Sequence, residues 1–120
     1  MSKTSQSQWS ALQRFMREKS QKLTLGKLDQ NNLALLNWIV GRHDPTRPLH
    51  VQEIVMHSGV MSPAWTYRGI QILDEAGLIT IVTDKVDARR RIISPSEKAL
   101  RELKELDRVL LLWIKGCAVK

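Results

Sequence analysis

The side chains best placed to do chemistry form two groups. One is a run near the last third of the chain: Lys85, Asp87, Arg89, Arg90 and Arg91. With Asp84 included, residues 84–91 carry a net +2. The other is Arg68 and Gln71, with Tyr67 beside them. Arginine and glutamine pair bidentately with guanine and adenine edges, while clustered arginines suit phosphate oxygens. Both chemistries point to a polyanion. The whole chain agrees: 120 residues carry 19 Lys and Arg against 12 Asp and Glu, leaving +7. Such an excess favours nucleic acid or an anionic membrane surface.

Other chemistries find little support. His43, His50 and His57 recur every seventh residue, but no Cys, His or carboxylate cluster has ligand spacing. No metal and no cofactor is expected. No nucleophile, base and orienter stand together, and no Gly-rich phosphate loop is present, so no catalytic residue is assigned and no enzyme is expected. The single cysteine, Cys117, excludes an intrachain disulfide and reads as an inert thiol on an apolar seam. Residues 109–114 form the longest apolar run, far short of the ~20 residues of a span. The polar residues 1–8 lack a signal-peptide pattern. A cytoplasmic protein with no membrane partner is expected.

These side chains need elements to hold them. Residues 1–7 read as a disordered start. A helix is predicted over Gln8–Gln21, where Trp9, Leu12 and Met16 make one apolar stripe. Residues 23–28 read as a turn, and Asn31 or Asn32 as the cap of a buried helix over Leu33–Val40. Residues 41–48 read as a loop. Val51–Ser58 is a short helix stopped by Gly59. Ser62 and Pro63 start a second helix that ends at Gly77.

At 100° per residue, Thr66, Gly69, Ile70, Leu73 and Ala76 of that helix face inward, and Ala64, Tyr67, Arg68, Gln71 and Glu75 face outward. Gly69 is expected to allow close packing against Val51–Ser58. Trp65 and Ile72 fall between the two sides. The four tryptophans, spread over four helices, read as packing.

Leu78–Thr83 alternates as a strand, and Arg89–Ile93 returns to make a two-stranded hairpin. Alternation would set Arg89 and Arg91 on one face and Arg90 on the other, and Asp87 would orient Arg89 through an ion pair. Ser94-Pro95-Ser96-Glu97 has the pattern of a capping box with Ser94 as cap. The helix that follows, to about Lys115, repeats Ala99, Leu103, Leu106, Leu110, Trp113 and Cys117 as a heptad seam.

Helix, short helix, turn, second helix and basic hairpin is the order of a winged helix-turn-helix. The expected fold is mainly α with a small β-hairpin. Residues 8–22 and 95–120 would be dimerisation helices, and residues 23–94 the DNA-binding domain. In such a domain the second helix of the pair enters the major groove and the hairpin reaches the backbone or minor groove.

The sequence also resembles the MarR family. Asp87-Ala88-Arg89, followed after five residues by residues 95–99, is similar to that family's wing signature, Asp-x-Arg, five residues, then Leu-Thr-x-x-Gly. Residues 70–79 (IQILDEAGLI) resemble the end of its recognition helix, and residues 49–53 its Leu-Thr-x-x-Glu-Leu helix start. His50 stands where a capping Thr or Ser is usual, and Pro95, Ser96 and Ala99 replace Leu, Thr and Gly.

The resemblance implies a homodimeric transcriptional regulator, a repressor, on a pseudo-palindromic operator. Its partners would be double-stranded DNA, a second copy of the chain, and an effector that the sequence does not identify. DNA contact is expected from Ser62, Pro63, Ala64, Tyr67, Arg68, Gln71, Lys85, Asp87, Arg89, Arg90 and Arg91. The dimer interface is expected from Trp9, Leu12, Met16, Leu103, Leu106, Leu110 and Trp113. Two other readings compete. A winged helix can serve as a protein-interaction module in a replication, segregation or secretion complex, which a neutral wing would favour. The basic segment of residues 1–28, with six Lys or Arg and one Glu, could instead bind a membrane surface.

Overall fold

The computed structural model describes residues 7–119, with side chains through Gly116. The expected disorder of residues 1–6 and the place of the Cys117 thiol on the seam lie outside the described residues. In order along the chain the elements are α1 (Gln8–Ser20), a 3-10 turn (Thr24–Lys27), α2 (Gln30–Arg42), β1 (Leu49–His50), α3 (Val51–His57), α4 (Pro63–Glu75), β2 (Ile79–Thr83), β3 (Arg91–Pro95) and α5 (Glu97–Val119). By contacts the chain divides into two units, residues 28–100 and residues 1–27 with 101–120.

The unit of residues 28–100 packs α2, α3 and α4 with the small sheet. Leu35, Leu36, Ile39, Ile54, Leu73, Leu78 and Ile93 are its fully buried core. Side chains of that size contribute about 1.5–3 kcal/mol each when taken out of water. The α2 helix starts at Asp29 rather than at Asn31 or Asn32: Asp29 Oδ1 accepts the Asn32 N–H at 2.8 Å. An ionised cap suits the positive end of a helix better than a neutral amide. Asn32 instead is buried one turn in. Gly41 belongs to α2, not to the loop, because the helix runs on to Arg42. The Arg42 guanidinium covers the Trp38 ring at 4.8 Å.

Ser62 caps α4, accepting the Trp65 N–H at 3.4 Å, and Pro63 follows at the first helical position. Thr66, Gly69, Ile70 and Leu73 are buried as the helical periodicity requires. Thr66 Oγ1 donates to the Ser62 carbonyl at 2.9 Å, so its hydroxyl is satisfied in the core. Gly69 has a different partner from the one expected. A Cβ there would lie 2.7 Å from Asn32 Oδ1 and 2.8 Å from Leu35 Cδ2. The close approach is between α4 and α2, not α3. Gly77, at φ +73°, ends the helix in the left-handed region that favours glycine.

The sheet has three strands in the order β1-β3-β2, all antiparallel, where the sequence suggested two. β1 is two residues long, too short to show alternation, and pairs Leu49 with Ile93 and His50 with Ile92. β3 starts at Arg91 and runs to Pro95, opposite Ile79. Proline is acceptable there because the strand ends. The α5 cap therefore shifts by two: Ser96, not Ser94, accepts the Ala99 N–H at 3.1 Å. Its hydroxyl also donates to the Gly77 carbonyl at 2.7 Å, tying α5 to the end of α4.

In the other unit, Ser7 is the N-cap of α1, its Oγ accepting the Ser10 N–H at 3.3 Å, so this residue is part of a helix start rather than of a disordered lead. Phe15 of α1 meets Trp113 of α5 with ring centroids 5.2 Å apart, tilted by 40°. Leu25 is buried in the 3-10 turn, and its N–H donates to Glu102 Oε1 at 3.0 Å.

Candidate nucleic-acid interface

The outward side of α4 is as its periodicity dictates. Ala64, Tyr67, Arg68, Gln71 and Glu75 are exposed, and so are Ser62 and Pro63 at its start. Arg68 Nη1 donates to Gln71 Oε1 at 3.1 Å, one turn on. The two polar heads therefore rest on each other in the free chain. Their other donors remain free to meet a base edge. Trp65 stands 65% exposed on the flank, so it is not a packing residue here. With Asp29, Asn32, Met61, Arg68 and Ile72 it borders a cavity of about 470 Å³ between α4 and the start of α2.

The wing is the turn between β2 and β3, and Asp84 organises it. Asp84 Oδ1 accepts the Val86 N–H at 2.8 Å and the Asp87 N–H at 3.4 Å. The Asp84 N–H donates to the Arg90 carbonyl at 2.9 Å, and the Arg90 N–H to the Asp87 carbonyl at 3.0 Å. Arg89 and Arg90 thus lie on the turn, not in the strand as the sequence suggested. Strand alternation does not govern them, and only Arg91 begins β3. The tip's own hydrogen bonds outcompete the ladder there. All three arginines and Lys85 are exposed, and Val86 at the tip is 95% exposed.

Asp87 holds Arg89: its Oδ1 accepts the Arg89 N–H at 3.1 Å and Nε at 3.2 Å. The Arg89 side chain first, and its N–H second, hold the Asp87 carboxyl below the usual range for aspartate. An ionised Asp87 fixes the turn but leaves most of the guanidinium fork to solvent. Between wing and helix lies a cleft of about 170 Å³. Arg89, Arg90 and Arg91 line it together with His50, Gln52 and Tyr67. Three guanidiniums and a phenol hydroxyl around one groove are groups that suit a phosphate oxygen.

The structure brings Tyr67, Arg89, Arg90 and Arg91 around this cleft, while Arg68 and Gln71 sit on the solvent side of α4. The residues expected at a dimer interface are in the other unit. Leu12, Met16, Leu103, Leu106, Leu110 and Trp113 are half-buried in the single chain, and Trp9 is 69% exposed.

The sequence reading missed His50 as a site residue. Its ring is nearly buried, with Nε2 2.8 Å from Asp84 Oδ2 and Nδ1 3.3 Å from Glu53 Oε1. Glu53 Oε1 also accepts the His50 N–H at 3.1 Å, the reciprocal half of a capping box. The residue types His50 and Glu53, three apart at the start of a short helix, carried part of that signal. The partner Asp84, 34 positions away, did not. Among the described residues no group of three His, Cys, Asp or Glu has the arrangement of a metal site, and no helix is long and apolar enough to cross a membrane.

A helix pair whose second member is capped, exposed and polar on one side, followed by an antiparallel wing, is a winged helix-turn-helix. Solved structures share this architecture. MarR superposes with a TM-score of 0.58 over 91% of this chain and 77% of its own, at 19% identity. The complex of S. aureus MepR with DNA gives 0.68 over 92% and 85%, at 11% identity. PcaV from Streptomyces coelicolor, in complex with its natural ligand, gives 0.55 over 89% and 75%, at 19% identity. No protein-family model and no curated protein sequence matches the chain. The chain has the fold of the MarR-like regulators.

Proposed function

We propose that the chain is a sequence-specific DNA-binding transcriptional regulator that acts as a homodimeric repressor on a pseudo-palindromic operator. The observation that carries this reading is the pairing of two differently equipped surfaces in one unit. Arg68 and Gln71 stand on the exposed side of α4, where major-groove edges can be read. Arg89, Arg90 and Arg91 stand on a wing beside it, where phosphates or a narrow minor groove can be held. Ser62, Pro63, Ala64, Tyr67, Lys85 and Asp87 complete the contact set. The DNA in the MepR complex supports the same use of the fold.

Dimerisation is supported by apolar surface that the single chain leaves uncovered. Trp9, Leu111, Leu112 and Ile114 are all more than half exposed. Residues 8–22 and 95–120 would form the dimer's shared layer, and residues 23–94 the DNA-binding part. Two recognition helices related by a two-fold axis prefer an inverted repeat, with half-sites about 10 bp apart. The neutral wing that a protein-interaction module would favour is absent from the described residues.

The experiment is an electrophoretic shift against genomic fragments, including the DNA upstream of the chain's own gene. A footprint on an inverted repeat with two chains bound supports the reading. A short asymmetric footprint with one chain bound, or no shift on any fragment, overturns it.

A further inference from the structure

We propose that His50 is a positioning residue for the wing: clamped between Glu53 of α3 and Asp84 at the wing's base, its ring sets where the wing arginines stand beside α4, most firmly as the imidazolium. The consequence for DNA rests on the regulator reading above, but the clamp is a property of the free chain.

The geometry makes the argument. Both ring nitrogens face carboxylate oxygens, at 2.8 Å for Asp84 Oδ2 and 3.3 Å for Glu53 Oε1. An ionised carboxylate only accepts. A neutral imidazole has one N–H: as the Nε2–H tautomer it keeps the Asp84 bond and takes the Glu53 N–H of the capping box at Nδ1, but no proton then lies between Nδ1 and Glu53 Oε1. The imidazolium has two and satisfies both. The pair is shielded from water, with side-chain exposures of 11% for His50 and 14% for Asp84. A missing donor there matters more than at the surface.

Asp84 transmits the contact. One oxygen takes the His50 ring, and the other holds the Val86 and Asp87 N–H groups that shape the tip. Freeing the ring frees the carboxylate, and with it the turn that presents Arg89 and Arg90. The charged groups around His50 are Glu53 from α3, with Arg47 acting on it, Asp84 after β2, and Arg89, Arg90 and Arg91 of the same cleft, with Tyr67 from α4. The arginines oppose a second positive charge. Arg89, however, is 91% exposed and paired with Asp87, so solvent and its partner weaken its effect. The two carboxylates touch the ring directly. Their own carboxyls are held below the usual range chiefly by bonds from His50, the ring for Asp84 and the N–H for Glu53.

The test uses the full chain in three forms: wild type, His50→Thr and Asp84→Asn. Threonine keeps a side chain able to cap α3. Asparagine keeps an oxygen for the Val86 N–H and provides a second variant should the first fold poorly. Proton–nitrogen NMR follows the Val86 and Asp87 amides between about pH 5 and about pH 8, where histidines titrate. Affinity for operator and scrambled duplexes is measured at about pH 6 and about pH 8 at constant ionic strength. The wing amides should move with the His50 ring in wild type and stay still in His50→Thr. Wild type should gain about fivefold more affinity than either variant on going to the lower pH. Amides that ignore pH in wild type, or move equally in His50→Thr, overturn the clamp. Equal pH dependence of binding in all three forms overturns its role in positioning. If no duplex binds at all, the regulator reading fails, and the wing amides alone decide the clamp.

Discussion

His50 Nε2 stands 2.8 Å from Asp84 Oδ2, joining the start of α3 to the base of the wing across 34 positions of sequence. This contact and the Asp84 bonds to the tip amides make one connected device out of two segments that sequence order keeps apart. It has consequences for stability.

Acid should loosen the wing before it unfolds the helices. Hydrogen bonds from the His50 ring and then the Val86 N–H hold the Asp84 carboxyl below its ordinary value. The His50 N–H does the same for Glu53. A carboxyl depressed in the folded state stabilises the fold fully above its unfolded value of about 4. That contribution is lost as pH falls through the lower folded value. Asp84→Asn removes the group and should flatten this part of the acid limb. Urea midpoints measured from about pH 6 down to about pH 2 check it: parallel curves for the two proteins count against the coupling.

Gly69→Ala should destabilise the chain despite alanine's better helix propensity. The propensity gain is about 1 kcal/mol. The added Cβ would meet Asn32 Oδ1 at 2.7 Å and Leu35 Cδ2 at 2.8 Å, forcing α2 and α4 apart. Overpacking of this kind costs roughly 1–3 kcal/mol. A net loss of stability in chemical denaturation is expected, and a gain would mean that α2 yields more easily than its burial suggests.

Ser96→Ala should remove two bonds at once, the α5 cap and the link to the Gly77 carbonyl. Loss of a cap alone costs about 1 kcal/mol. The second bond should raise this toward 2 kcal/mol. Ser94→Ala should be nearly silent by comparison, which a pair of thermal melts would show.

The dimer is tested through its seam. Leu106→Glu and Leu110→Glu place a charge on a half-buried face of α5. They should yield monomer or unfolded chain, while wild type sediments as a dimer at micromolar concentration. A stable wild-type monomer at that concentration contradicts the assembly.

Much of this was readable from residue order, and the misses share a cause. The α4 faces followed from 3.6-residue periodicity, and Ser62 with Pro63 marked its start because capping is local chemistry. Ser96 was displaced from view by Ser94-Pro95, which mimics a cap but is held as strand by its pairing to Ile79 and Thr80. β1 was invisible because two residues carry no period and their partners lie in β3. The packing partner of Gly69 and the His50–Asp84 contact are tertiary facts of the same kind. Periodicity says that a residue faces inward; it does not say what it will meet. Arg89 and Arg90 show the opposite limit. Their charge was legible, but their geometry depended on Asp84 and Asp87 closing the turn.

The central claim is a division of labour between α4 and the wing, and binding of single variants across a salt series tests it most directly. Wild type, Arg68→Ala, Arg89→Ala and Arg91→Ala are each titrated against an operator duplex and a scrambled one. Arg68→Ala should lose roughly 1–3 kcal/mol on the operator, keep its scrambled-duplex affinity, and relax preference at one or two positions. Arg89→Ala and Arg91→Ala should weaken both duplexes alike and lower the salt slope by about one per lost phosphate contact. Wing variants that bind both duplexes like wild type, with an unchanged salt slope, would contradict the account and leave the wing a solvated turn.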